Sequence, residues 1–260
     1  MHAPRSRLVR LAAAMSVATI VLVACDDADP SAPPAGSEAV SFTTADGVEI
    51  DGRLFGDPGS SAGVVLAHMQ PADQTSWYGF AETLADEGYR ALTFNFRGYC
   101  PGGEAGCSGG ETDQAQLWQD VEAAAGFLRS KGVPRIGVIG ASMGGTAALV
   151  AASQPGSRIG SAATLSAPMS IGALTVTPEQ LSSTGAAKLF VAGNGDAVAA
   201  EAAQQLYDLS IPPKRVEIFP SEDHGTDLLE GNQGPNVRQL LLRWLAQFLP
   251  EAPAGDESSS

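Results

Sequence analysis

The stretch GVIGASMGGTAAL, residues 137–149, contains Gly140-Ala141-Ser142-Met143-Gly144, a Gly-x-Ser-x-Gly pattern. A chain with 30 glycines meets that pattern by composition alone, and two further matches occur: Gly59-Ser60-Ser61-Ala62-Gly63 and Gly106-Cys107-Ser108-Gly109-Gly110. Context separates the three. RIGVI (135–139) reads as a strand and GGTAALVAAS (144–153) as a helix, so Ser142 alone stands where a strand turns directly into a helix. Such a turn strains the serine backbone and crowds the positions two residues either side, which is why Gly140 and Gly144 suit it. The first rival match precedes a strand, in GDPGSSAG, and the second lies in the glycine-rich RGYCPGGEAGCSGG. Both read as surface loops.

Working outward, the apolar runs AGVVLAH (62–68), RALTFNF (90–96), SAATLSA (161–167), AKLFVAG (187–193) and KRVEIFP (214–220) join RIGVI as strands. Their unbroken hydrophobicity suits strands covered on both faces of a parallel sheet. Helical patterns at about 77–87, 113–131, 143–153, 198–209 and 235–248 alternate with them, which predicts an α/β fold. AVSFTT (39–44) and VEIDGRLFG (48–56), joined by Ala45-Asp46-Gly47, should enter the sheet as an antiparallel hairpin.

A serine hydroxyl needs a base. The chain has three histidines. His2 falls in the leader, and His224 sits in FPSEDHGTD (219–227), just after the last expected strand. Asp196 sits in VAGNGDA (191–197), just after AKLFVA. Taken singly, Ser142 is a small helix-start residue, Asp196 a turn former and His224 a loop residue. Taken together, three such residues at the carboxyl ends of three strands make a nucleophile–acid–base set. Glu222 and Asp223 are rival acids, but one or two residues from His224 in the same loop they are poorly placed to reach its ring.

The order Ser142, Asp196, His224 resembles the α/β-hydrolase superfamily, and the likeness extends over nearly the whole chain after the leader. HMQPADQTSW (68–77) resembles the family's histidine loop after the third strand. That resemblance implies an oxyanion hole built from the backbone N–H groups of Met69 and Met143. The family more usually has Gly after this histidine, so Met69 is a departure. FNFRGYC (94–100) resembles the strand that ends in an Arg-Gly loop, with Arg97 in a structural role. The implied fold is a mostly parallel central sheet with helices on both faces and an N-terminal antiparallel hairpin. About 20 residues separate SAATLSA from AKLFVAG, which leaves no room for a large lid. The compact pattern looks most like the dienelactone-hydrolase-like and small esterase branches, although dienelactone hydrolases carry Cys where this chain has Ser142. The resemblance implies hydrolysis of small esters without a cofactor. A peptidase or thioesterase on the same fold, and a non-catalytic binding lipoprotein, are the alternatives.

The termini read differently. Arg5, Arg7 and Arg10 precede an uncharged run over 11–24, a signal-peptide pattern too short to span a bilayer as a helix. The run closes on Leu22-Val23-Ala24-Cys25, similar to the lipobox of bacterial lipoproteins, with an ordinary cleaved signal peptide as the alternative. The expected organisation is a leader over 1–24, a Pro-rich tether over 25–37 beginning at lipidated Cys25, a hydrolase domain over 38–250 and a polar tail over 251–260. Export to the cell envelope follows. The formal charge of −14 falls to −17 without the three leader arginines, which argues against nucleic-acid binding and against a basic membrane patch. Attachment is expected through the lipid alone. Cys100 and Cys107 remain. In an oxidising compartment they can close an eight-residue ring worth about 2.5 kcal/mol in loop entropy, the alternative being two free thiols. No metal is expected, since two cysteines without clustered histidines do not form a zinc site.

Overall fold

The computed structural model describes residues 34–250. The expected leader (1–24), Cys25, most of the tether and the tail (251–260) lie outside the described residues. Residues 34–37, at the end of the expected tether, form a turn in which Ser37 N donates to Pro34 O at 3.2 Å and Ser37 Oγ accepts from Arg53 at 3.1 Å.

Two antiparallel strands, β1 (Glu38–Thr43) and β2 (Glu49–Phe55), open the fold as the ADG turn requires. There follow β3 (Ala62–Ala67), α1 (Tyr78–Asp86), β4 (Arg90–Phe94), α2 (Leu117–Ser130), β5 (Arg135–Ala141), α3 (Met143–Ala152) and β6 (Ile159–Leu165). A two-residue-per-strand hairpin comes next, β7 (Ser170–Ile171) with β8 (Leu174–Thr175), and then α4 (Pro178–Ser183). The chain ends through β9 (Ala187–Gly193), α5 (Ala197–Leu209), β10 (Lys214–Phe219) and α6 (Gly234–Phe248). The main sheet runs β1-β2-β4-β3-β5-β6-β9-β10; β2 meets β4 antiparallel, and every pair from β4 to β10 is parallel.

Side-chain alternation along each strand feeds two cores. β3 sends Val65 and Ala67 to the layer holding Leu117 and Val121 of α2, while Val64 and Leu66 meet Phe80 of α1 and Trp244 of α6. All ten residues of α3 are buried. Its small side chains let it lie hard against the sheet, and its N-terminus is thereby fixed at the carboxyl end of β5.

The hairpin and α4 fill the short interval between β6 and β9 and amount to no large lid. The elements fall where the apolar runs and helical patterns place them, except for this hairpin and α4. Two-residue strands are too short to show a period, whereas α4 carries a legible start: Thr177 and Gln180 form a capping box around Pro178. Among the described residues no helix is long and apolar enough to cross a membrane.

Candidate active site

Because β3, β4, β5, β6, β9 and β10 are parallel, their carboxyl ends gather the loops at one edge of the sheet. At the end of β5, Ser142 adopts φ 47°, ψ −114°, a left-handed conformation that a β-carbon makes costly. The turn is as tight as the sequence pattern requires. A β-carbon on Gly140 would collide with the carbonyl of Gly144, and one on Gly144 would collide with that of Ala67 and lie 2.6 Å from that of His68. The second contact also shows how closely the start of α3 sits against the Met69 loop. Ser142 N donates to Leu165 O of β6 at 2.8 Å, which locks the turn to its neighbour strand.

Asp196 and His224 come together. His224 Nδ1 lies 2.5 Å from Asp196 Oδ2, with the carboxylate largely buried and the imidazole half-exposed. The other oxygen of Asp196 accepts from Ala199 N at 3.4 Å and caps α5. The two loops are fastened together, since Asn194 N donates to Phe219 O at 2.8 Å and Gly195 N to Ser221 O at 2.9 Å. Asp223 turns away from His224, accepting from Ser221 Oγ at 2.6 Å.

β10 is three strands from β5, about 14 Å at ordinary strand spacing. The His224 loop recrosses that distance over the ends of β9 and β6. A β-carbon on Gly225 would lie 3.4 Å from that of Ala141, beside Ser142, and would run into Met69 Sδ. Ser142, Met69 and His224 therefore share one small region, although no hydrogen bond joins the Ser142 hydroxyl to His224.

Met143 opens α3, so its N–H has no acceptor within the helix and points with the positive end of the helix dipole. Neither this N–H nor that of Met69 is taken by an acceptor among the described residues. The Met69 loop is held by His68, which is fully buried. Phe96 N donates to its Nε2 at 3.1 Å, so Nδ1 carries the proton and donates to Met69 O at 2.9 Å. Burial lowers the pKa of this imidazole to about 4, so it is neutral at pH 7. His68 thus ties the Met69 loop to the end of β4, a role that the sequence signalled only through a histidine following an apolar run.

Arg97 is structural, as its loop suggested. It binds the wholly buried Asp120 through its backbone N (2.9 Å), Nε (2.8 Å) and Nη2 (2.7 Å), and reaches Asp46 at 2.7 Å. Burial opposes its charge, but the hydrogen bonds to the two carboxylates outweigh burial and raise its pKa. The hydrogen bond from Arg97 holds Asp46 down at about 2.

The rival serines are spoken for. Ser108 is buried, donating to Asn95 O at 2.7 Å and accepting from Asp51 N at 2.9 Å. Ser61 lies before β3, at the opposite end of the sheet, and accepts from Arg135. Cys100 and Cys107 are joined in a disulfide, and the loop they close is pinned to its neighbours by Gln74 Nε2, which donates to Ala105 O at 2.7 Å. Among the described residues no three His, Cys, Asp or Glu side chains are placed to hold a metal ion.

Solved structures share this architecture. An esterase from Pyrococcus furiosus superposes with a TM-score of 0.70 at 20% identity, covering 82% of this chain and 91% of its own. A thermophilic esterase from Thermogutta terrifontis, solved with malate bound, gives 0.66 at 18% identity over 81% and 99%. A dienelactone hydrolase from Anabaena variabilis gives 0.67 at 21% identity over 82% and 98%. No curated protein matches the chain in sequence. A family model described as the alpha/beta hydrolase fold matches residues 64–204, from the middle of β3 through the turn at Ser142 and Asp196 into α5, and the chain belongs to that family.

Proposed function

We propose that the protein is a serine hydrolase that cleaves small carboxylic esters, with Ser142 as nucleophile, His224 as general base and acid, and Asp196 as the group that orients the imidazole. The observation that carries this reading is the pairing of His224 Nδ1 with Asp196 Oδ2 at 2.5 Å in a loop packed beside the strained turn of Ser142. That pairing directs Nε2 to be the free, proton-accepting nitrogen. In the reaction Ser142 Oγ attacks the ester carbonyl as its proton passes to Nε2. The oxyanion is received by the Met69 and Met143 N–H groups. Collapse of the intermediate expels the alcohol, which leaves with the proton from His224, and a water activated by the same imidazole hydrolyses the acyl-serine. The half-exposed His224 and the short hairpin in place of a large lid favour small substrates reaching an open site. Two of the structural neighbours are named esterases and a third a dienelactone hydrolase, which agrees with ester chemistry. From the leader pattern that ends at Cys25 we also propose that the enzyme is tethered at the cell envelope through a lipid on that cysteine.

The test is hydrolysis of an ester chain-length series by the domain from residue 38 onward, together with labelling by a fluorophosphonate. Ester turnover and labelling are both expected, and Ser142→Ala should abolish labelling and lower turnover by about 10⁶-fold. Ester turnover that persists in Ser142→Ala would sink the assignment, as would a wild type that cleaves peptide amides but no ester.

A further inference from the structure

Tyr99 touches both sides of the region in which the oxyanion would sit. Its ring meets the His68 imidazole edge to face, with centroids 4.7 Å apart, and its hydroxyl lies 3.9 Å from Met143 Sδ. These partners belong to different segments: His68 precedes Met69 in the loop after β3, and Met143 opens α3 after β5. A thioether is a weak acceptor, so the second contact is mainly packing. Tyr99 is itself held on both flanks. Its N–H donates to Phe96 O at 3.0 Å, its carbonyl accepts from Ser108 N at 2.9 Å, and the next residue, Cys100, is bonded to Cys107. Burial raises the pKa of its hydroxyl, which stays protonated.

We propose that Tyr99 is a positioning residue for ester cleavage: it braces the Met69 loop against the start of α3 so that the backbone N–H groups of Met69 and Met143 converge on one oxyanion, and the Cys100–Cys107 loop holds the brace in place. This rests on the function proposed above. The physical basis is that backbone donors are productive only when fixed within a few tenths of an ångström and aimed where charge develops. The loss of one such donor costs about 10²–10³-fold in turnover. Without the Tyr99 ring, the buried His68 loses packing on one side and the Met69 loop is free to shift against the fixed start of α3.

Steady-state kinetics on a short-chain ester, and inhibition by an alkyl boronic acid whose serine adduct is tetrahedral, test the idea. Tyr99→Ala should lower kcat by about 10–100-fold with KM changed less than about threefold, and should weaken the boronic acid by the same factor as kcat. Tyr99→Phe keeps the ring and should stay within about threefold of wild type in all three quantities. If Tyr99→Ala does not fold, Tyr99→Leu, which fills much of the space but lacks the ring edge, should show the same paired loss. A purely structural residue would lower the amount of active enzyme without changing the boronic acid constant. Wild-type boronic acid affinity in the Ala or Leu variant, or a rise in KM that accounts for the whole loss, would overturn the role of Tyr99. A wild type with no ester turnover would instead overturn the functional reading on which it rests.

Discussion

Asp196 divides its carboxylate between two tasks, and substitution should separate them. One oxygen meets His224 Nδ1 at 2.5 Å and the other caps α5 through Ala199 N at 3.4 Å. Asn and Asp are nearly equivalent as N-caps, so Asp196→Asn should leave stability within about 0.5 kcal/mol of wild type. Its amide, however, removes the charge that stabilises an imidazolium. If its NH₂ faces Nδ1, it also forces the proton onto Nε2, where it blocks acceptance from Ser142. The expected fall in kcat is about 10⁴-fold, roughly 5.5 kcal/mol of barrier, and so smaller than for Ser142→Ala. Asp196→Ala should match that loss and also forfeit the cap. Because the cap bond is long, the cost in stability is set near the low end, about 0.5–1 kcal/mol, or a Tm lower by roughly 1–4 °C in a domain of this size. Asp223→Asn is the control, since its carboxylate is bound to Ser221 Oγ, and should retain nearly full activity. Turnover of a p-nitrophenyl ester and differential scanning calorimetry measure both effects. A kcat for Asp196→Asn within tenfold of wild type, or an equal loss in Asp223→Asn, would refute the assignment of the acid.

Two further predictions concern His68 and Cys25. Burial lowers the His68 pKa from 6.5 to about 4; the unfolded chain takes up this proton as pH falls through 6.5, whereas the folded chain resists until about 4. Stability from this group is therefore complete above pH 6.5 and declines by about 3 kcal/mol as pH falls to 4. Urea unfolding across that range should show a shallower decline for His68→Gln than for wild type, and parallel curves would refute the account. For Cys25, mass spectrometry of the exported protein should find a lipid-modified cysteine as the first residue, and cleavage elsewhere with an unmodified Cys25 would rule the anchor out.

Most of the parallel sheet and its helices were legible because burial on both faces writes continuous apolar runs, although β10 at the edge is exposed or only partly buried; the turn at Ser142 was legible because only glycine survives the approach of Gly144 to the Ala67 carbonyl. The identity of Asp196 over its rivals could be argued from loop spacing. Its pairing with His224 and the diversion of Asp223 to Ser221 could not, because they depend on how the last two loops are bonded to each other. The double duty of Asp196 as a helix cap was equally hidden. Contacts among Tyr99, His68 and Met143 join two loops and a helix start distant in sequence, and no local pattern records them. The hairpin at Ser170–Thr175 was too short to register.

β10 closes one end of the sheet and bonds to β9 alone, and its side chains are exposed or only partly buried, whereas every residue of β9 is buried. His224 thus follows an edge strand, whose detachment breaks a single ladder. Partial openings of this kind lie lowest among the excursions a native protein makes. Such an opening carries the imidazole away while β3, β5 and the buried α3 keep the serine and both N–H donors in place. On the function proposed above, activity is therefore expected to fade reversibly on warming, by fraying at one border of the molecule, ahead of the cooperative melting of its interior.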